Sequence, residues 1–228
     1  MISERQFATY SSLWHQLCPL LESYVRSDAA GLYERFAPPL RSSTEADRRA
    51  LVSEAAYCFA RASSVDAPLT VLDAARAAES RLGWSGEDKG AKALLTAAES
   101  REVEALAERI RSFILRIGDS APVFDPLFAG CGYLSPCRGD LLVGAQLIEI
   151  KTVERNFGSQ DFRQALTYTA LNHAGGGAPI DRLVLLNPRR GVYLSEDLDS
   201  LCREIATIDF AEFAERLIFL LSSSGISR

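Results

Sequence analysis

The chain has 228 residues, of which 47% are hydrophobic and 24% are charged, and its 25 Lys and Arg against 30 Asp and Glu give a formal net charge of -5. This composition is ordinary for a globular chain with a buried core, and it excludes a disordered, collagenous or disulfide-framed protein. Taken as a whole, the acidic balance argues against a nucleic-acid partner, because binding phosphates requires positive charge. The charged start and the lack of a long apolar run predict neither an export signal nor a membrane span. Five Cys without CxxC spacing predict reduced thiols in the cytoplasm.

The N-terminal half of the sequence has the apolar spacing of helices and few alternating β-branched runs. Helices are predicted at about 3–27 with a kink at Pro19, 44–63, 69–82 and 96–117. From about residue 121, short apolar runs bounded by Gly, Pro or Asn predict strands instead. The strands are predicted at 130–132, 141–143, 147–151, 183–186 and 191–194, and further helices at 160–173, 197–206 and 209–222.

The strand at 147–151, the helix at 160–173 and the strand at 183–186 have the spacing of a right-handed βαβ unit. The sequence therefore predicts a protein of the α/β (α+β) class. A helical N-terminal region, 1–118, is expected to pack on a core, 119–228, in which helices flank a small mixed β-sheet.

A tight hairpin is predicted between Asp140 and Lys151. Gly144 stands where a type II′ turn requires glycine, so the turn pairs Val143 with Gln146 and sets Asp140 opposite Glu149, about 5 Å away. Lys151, two residues beyond Glu149, shares its face of the sheet. The opposite face is apolar and consists of Leu141, Val143, Ile148 and Ile150.

Two opposed carboxylates on apolar strands repel each other, so a nearby cation is expected to offset the repulsion. Lys151 supplies one positive charge, and carboxylate oxygens also suit Mg²⁺. In such a site the metal holds a phosphate oxygen and activates a water, while the lysine orients that water or stabilises developing charge. The alternative is an exposed salt-bridge cluster on a half-solvated sheet. A second Glu-x-Lys, at 87–89, lies in a Gly-rich polar linker without a paired Asp and is discounted.

The next helix carries Gln164 and Tyr168, which are four residues apart and therefore point the same way. Polar groups on the inward stripe of a crossover helix are unusual in a core and sensible beside a site. The alternative is a helix flank with half-buried amphipathic side chains.

Asp140, then Glu149-Ile150-Lys151 on the next strand, then Gln164 and Tyr168 on the following helix resemble the PD-(D/E)xK nuclease superfamily, specifically its RecB-type branch with a QxxxY helix motif. The resemblance covers roughly residues 125–195 and implies a restriction-endonuclease-like core. It implies that Asp140, Glu149 and the Ile150 carbonyl bind Mg²⁺, with Mn²⁺ as a substitute, and that Lys151 is catalytic. Gln164 and Tyr168 would position the lysine or the nucleic acid.

The sequence departs from that family pattern in two places. Gly139 stands where the family has Pro, and the four-cysteine iron–sulfur pattern of some relatives is absent, which predicts no cluster. The family often has a Glu on a helix before the first strand, for which Glu104 and Glu108 are the candidates.

The first functional hypothesis is a Mg²⁺-dependent nuclease that prefers DNA to RNA and acts in restriction, repair or antiviral defence. Residues 138–191 carry seven basic and five acidic side chains, so the net charge of the whole chain does not exclude phosphate contacts in this segment. The N-terminal helices are expected to serve in homodimerisation, substrate selection or docking to a partner protein. The second hypothesis is a non-catalytic interaction or scaffold protein that uses a nuclease-like core. The phosphate-contact candidates are Arg155, Arg163, Arg189 and Arg190.

Overall fold

The computed structural model describes residues 1–27, 29–62, 70–83, 93–118 and 120–223, and within them it has a mixed α/β architecture. The chain divides into two compact units. We call residues 1–35, 118–187 and 192–228 the sheet unit, and residues 36–117 and 188–191 the helical unit. The sequence predicts one boundary, between 118 and 119. The structure instead groups the first 35 residues with the sheet and a four-residue turn with the helices.

The N-terminal segment of the sheet unit forms three short helices and then a short strand. The prediction of one helix over 3–27 is therefore wrong. The first helix is capped by Ser3, whose hydroxyl accepts from the Gln6 N–H, and the second ends at Leu17, with Cys18 as its C-cap just before Pro19. Helices this short are not stable alone, and they are held by burial of Phe7, Trp14 and Leu21. The elements are α1 (Glu4–Ala8), α2 (Ser11–Leu17), α3 (Leu21–Ser27), a 3₁₀ turn (Ala29–Leu32) and β1 (Glu34–Arg35).

The helical unit contains α4 (Arg49–Ala62), α5 (Val71–Arg81) and α6 (Ala97–Ile117), which confirms three predicted helices. Thr70 caps α5 in a capping box with Asp73. The helix predicted from residue 44 begins later, because the Thr44 side chain is buried and donates to Glu102 (3.0 Å). Three predicted features lie outside the described residues. These are the end of the helix predicted to stop at 63, the start of the helix predicted to begin at 69, and the discounted motif at 87–89.

The remaining elements of the sheet unit are β2 (Val123–Phe124), β3 (Leu127–Phe128), β4 (Cys137–Arg138), β5 (Leu141–Val143), β6 (Gln146–Ile150), α7 (Ser159–Ala174), β7 (Arg182–Asn187), β8 (Val192–Asp197), α8 (Leu198–Ala206) and α9 (Phe210–Ser222). A mixed six-stranded sheet is the framework of this unit, with the order β1-β8-β7-β6-β5-β2. Strands β6 and β7 are parallel and joined by α7, so the predicted βαβ unit is confirmed. The strand predicted at 130–132 is wrong, since Cys131 makes only an isolated bridge to Leu134. Strand β3 pairs with β4 in a separate two-stranded sheet.

The β5–β6 hairpin has the predicted register, with Leu141 opposite Ile148 and Val143 opposite Gln146. Gly144 has φ of 57° and Ala145 keeps a negative φ, as a type II′ turn requires. The ladder stops at Leu141. The prediction that Asp140 pairs with Glu149 across the hairpin is therefore wrong. The Asp140 carboxylate instead reaches across and accepts a hydrogen bond from the Ile150 N–H (2.7 Å).

Helix α7 is buried over most of its length and lies in the core of the sheet unit, with Phe162, Leu166 and Tyr168 inside. This burial explains how polar residues of α7 come to lie inside the protein beside the sheet. None of the helices in the described ranges is long and apolar enough to cross a membrane.

Candidate active site

Lys151 lies directly after β6 and connects the sheet to α7. Its main-chain N–H donates to the Leu186 carbonyl (2.8 Å), which keeps this end of β6 on β7. Its Nζ donates to Oε1 of Glu149 (2.9 Å) and to Oε1 of Gln164 (2.7 Å). The side chain is 16% exposed, so a largely buried ammonium group lies between a carboxylate and an amide.

Glu149 is the most deeply buried acid of this group, with 2% of its surface exposed. Oε1 accepts from Lys151, but Oε2 is buried and has no hydrogen-bond partner among the described residues. A buried polar atom without a partner costs about 1–3 kcal/mol, and more when the group is charged. A cation at Oε2 removes that cost.

Asp140 joins the ends of the two hairpin strands through its bond to the Ile150 N–H. Its negative charge also acts on Lys151. Burial lowers the pKa of Lys151, but the Glu149 and Asp140 carboxylates outweigh burial, so the pKa is raised above its usual value of 10.5. Lys151 therefore carries its proton at neutral pH.

Gln164 and Tyr168 are close together on α7, as their spacing predicts. The Gln164 Nε2 donates to the Tyr168 hydroxyl oxygen (2.7 Å), and both side chains are buried. The Tyr168 ring stacks on Phe128, with 5.3 Å between ring centroids. Burial strongly raises the pKa of Tyr168, so its hydroxyl stays protonated.

Sequence reasoning missed a third acid, Glu4 of α1. The Tyr168 hydroxyl donates to Glu4 Oε1 over 3.4 Å. Burial raises the pKa of the Cys137 thiol to about 12, and Glu4 and Glu149 add to this rise, which indicates that both acids lie near that thiol. No local pattern marks Glu4, because it stands alone and far from Asp140 in sequence.

The two upstream acids that the sequence suggested, Glu104 and Glu108, both lie on α6 in the helical unit, and both are exposed. Glu108 accepts from Arg111 (3.0 Å) and Ser112 (3.1 Å) on the same helix. Glu4, in contrast, belongs to the sheet unit with the rest of the site. The upstream acid in contact with the site is therefore Glu4.

The four arginines predicted to bind phosphate differ in their surroundings. Arg163 is buried, donates to Glu22 (2.5 Å) and to the Ala8 carbonyl (3.2 Å), and so holds N-terminal helices against α7. Arg189 is buried in the helical unit and pairs with Glu102 (2.6 Å), and Arg190 is partly buried in the same unit. The geometry therefore opposes a phosphate-contact role for Arg163 and Arg189, because both side chains are buried.

Arg155 is the best placed of the four. It is 54% exposed and pairs with Asp161 through both guanidinium nitrogens (2.5 and 3.0 Å) in the first turn of α7. Asp161 is one of the groups whose charge raises the pKa of Lys151, which indicates that this pair is near the lysine.

The predicted metal ligands are Asp140, Glu149 and the Ile150 carbonyl. All are hard oxygen donors of the kind that Mg²⁺ prefers, and Mg²⁺ usually keeps several waters beside one or two carboxylates. The unpartnered Glu149 Oε2 fits such a ligand set. Across the described ranges no group of three or more His, Cys, Asp or Glu side chains is arranged to hold a metal ion.

Comparison with known proteins found no family model, no curated protein and no solved structure that matches this chain.

Proposed function

We propose that the protein is a Mg²⁺-dependent nuclease, able to use Mn²⁺, with a restriction-endonuclease-like core of the PD-(D/E)xK type. One observation carries the proposal: Lys151 Nζ bridges Glu149 and Gln164 beside a buried Glu149 oxygen that lacks a partner. The structural alternative is a salt-bridge cluster on a solvated sheet face. Such a cluster does not leave a carboxylate oxygen buried without a hydrogen-bond partner.

The residues have separate roles in phosphodiester hydrolysis, in which the water oxygen bonds to phosphorus and loses a proton to solvent while one P–O ester bond breaks and the leaving oxygen takes up a proton. Asp140, Glu149 and the Ile150 carbonyl would hold a Mg²⁺ ion. That ion would neutralise charge at a phosphate oxygen and make a bound water more acidic. Lys151, protonated and fixed at two points, orients the attacking water and stabilises the negative charge that develops on the phosphate.

Gln164 and Tyr168 act on the reaction through Lys151. The Gln164 carbonyl oxygen is the neutral acceptor that keeps the Lys151 ammonium group from pairing with Glu149 alone. The phosphate backbone is contacted by Arg155, the exposed arginine beside the site. We favour DNA as the substrate and restriction, repair or antiviral defence as the role, because the family resemblance points there.

A cleavage assay tests the proposal. The full-length protein is incubated with linear, circular and single-stranded DNA and with RNA, in Mg²⁺, in Mn²⁺ and in chelator. Cleavage is expected with either metal and not with chelator, and it is expected to be lost in Asp140→Ala and Lys151→Ala. Asp181→Asn is the matched control, since Asp181 is an exposed acid before β7, at the end of the parallel pair away from Glu149.

Cleavage that survives both site substitutions contradicts the site assignment. No cleavage of any substrate, together with no binding of Mn²⁺ by calorimetry, contradicts the proposal and favours the scaffold protein.

A further inference from the structure

We propose that Glu4 is a positioning residue, which restrains the Gln164 side-chain amide through Tyr168 and thereby helps to hold the Lys151 ammonium group in place. The inference deepens the proposed nuclease function and, for its effect on catalysis, rests on it. Its structural part concerns one hydrogen-bond chain and is independent of any activity.

The hydrogen-bond chain from Lys151 through Gln164 and Tyr168 to Glu4 allows only one arrangement of its donors and acceptors. An ammonium group donates and never accepts, so Lys151 must face the Gln164 carbonyl oxygen. The Gln164 NH₂ group then faces Tyr168 and donates to its oxygen. The single hydroxyl proton of Tyr168 is left to be donated onward, and Glu4 receives it.

Glu4 reinforces, from the other end, the direction that Lys151 imposes, because a carboxylate only accepts hydrogen bonds. An amide in its place offers a donor as well, and Tyr168 can then accept from residue 4. The Tyr168 proton then has no single fixed acceptor, and when it turns toward Gln164 it competes with Lys151 for the amide oxygen. The 2.7 Å bond between Lys151 and Gln164 is therefore held less firmly than in the wild-type protein.

The backbone around Glu4 holds the carboxylate in place. The Ile2 N–H donates to the Tyr133 carbonyl, and the Ser135 N–H donates to the Ile2 carbonyl, both at 2.9 Å. Phe7, in the same helix, is fully buried. The Glu4 side chain itself is only 15% exposed.

The hydrogen bond from Tyr168 to Glu4 is the longest of the three, at 3.4 Å. The two bonds that Gln164 makes, with Lys151 and with Tyr168, are both 2.7 Å long. Long hydrogen bonds are weak, so removing this one costs little stability. Its loss is therefore expected to loosen the Gln164 amide without unfolding the protein.

The test follows the Gln164 side-chain NH₂ resonances by NMR, assigned from the signals that disappear in Gln164→Glu. Variants Glu4→Gln and Tyr168→Phe are compared with wild type. The matched control is Glu22→Gln, since Glu22 lies in the same N-terminal segment and accepts from Ser159 (2.7 Å) and Arg163 (2.5 Å) without joining the chain.

Both Glu4→Gln and Tyr168→Phe are expected to shift the Gln164 NH₂ signals and to speed their exchange with water, while Glu22→Gln leaves them in place. Unchanged Gln164 signals in a folded Glu4→Gln protein overturn the proposal. If Glu4→Gln does not fold, the same criterion applies to Glu4→Ala, because Tyr168→Phe removes the acceptor of the Gln164 NH₂ group itself.

Kinetics provide the second measurement. Misplacing Lys151 is expected to lower kcat in Glu4→Gln on the order of tenfold with little change in KM, and Glu4→Asp, which keeps the acceptor, is expected to restore part of the loss. A kcat that does not change in Glu4→Gln overturns the catalytic part of the inference. If wild type cleaves nothing, the nuclease proposal has failed, and the NMR result still decides the role of Glu4 in restraining Gln164.

Discussion

The Nζ atom of Lys151 lies 2.7 Å from the Oε1 atom of Gln164, although the first residue follows β6 and the second belongs to α7. The βαβ crossover brings them together, because α7 returns along the sheet from the end of β6 to the start of β7. The helix therefore supplies the second contact that fixes the lysine, and the sheet supplies the first through Glu149.

Replacing Gln164 by Leu removes that second contact and keeps the size of the side chain. Lys151 then pairs with Glu149 alone, so we expect kcat to fall about tenfold or more while metal affinity changes little. Cleavage kinetics and calorimetric titration with Mn²⁺ measure the two effects separately. A loss of metal binding in this variant would contradict the division of roles between Gln164 and the two carboxylates.

Metal binding is expected to stabilise the folded protein, because the unfolded chain does not bring Asp140 and Glu149 together. At a metal concentration a hundred times Kd the gain is about 2.7 kcal/mol. Mg²⁺ should therefore raise the Tm of wild type and of Asp181→Asn, and leave the Tm of Asp140→Asn nearly unchanged. Equal increases in all three proteins would show that the ion binds somewhere else.

The helical unit has its own acid-sensitive contact, between Glu102 and Arg189. Burial raises the pKa of Glu102, but hydrogen bonds from Arg189, the Ser43 N–H and Ser42 outweigh burial, so the pKa is below its ordinary value of 4.5. A carboxyl group whose pKa is lower in the folded protein stabilises it at pH values above the unfolded pKa. That stabilisation is lost as the pH falls through the folded pKa.

Glu102→Gln should therefore lower the free energy of unfolding on the order of 3 kcal/mol at neutral pH, since it leaves Arg189 buried without its counter-ion. The difference from wild type should shrink as the pH falls below about 4. Urea unfolding at a series of pH values measures it. Glu108→Gln, which alters an exposed pair with Arg111, should cost less than about 1 kcal/mol. A Glu102→Gln effect that is independent of pH would exclude ionic pairing as its cause.

Two glycines with similar backbone angles allow a steric clash to be separated from backbone strain. Gly132 and Gly176 have φ of 57° and 66°, so an alanine at either position pays about 1 kcal/mol of left-handed strain. A Cβ at Gly132 would also collide with the Leu221 carbonyl at the end of α9, whereas Gly176 has open space. Gly132→Ala should therefore lower Tm clearly more than Gly176→Ala. Equal losses would mean that the chain at 132 relaxes away from α9.

The hairpin and the crossover helix were predictable because their signals are local. Gly144 fixes the turn, the turn fixes the register, and the four-residue spacing of Gln164 and Tyr168 places both on one side of α7. The exact placement of Asp140 was not predictable, because the ladder ends one residue earlier than strict pairing requires, and its carboxylate bonds to the main chain instead.

Glu4 and β1 were not predictable from the sequence for a different reason. Each depends on contacts between residues far apart in the chain, Glu4 with Tyr168 and Glu34 with Tyr193, and neither leaves a periodic pattern. The burial of Arg163 and Arg189 is also a tertiary effect, since it depends on Glu22 and Glu102, which come from distant segments.

The most direct test of the proposed nuclease site is the rate of DNA cleavage in Mg²⁺ by wild type, Lys151→Ala and Asp181→Asn, measured under single-turnover conditions on identically folded samples. We expect Asp181→Asn to cleave at the wild-type rate and Lys151→Ala to be slower by about a hundredfold or more. Cleavage by Lys151→Ala at the wild-type rate would show that the chemistry does not take place at this site.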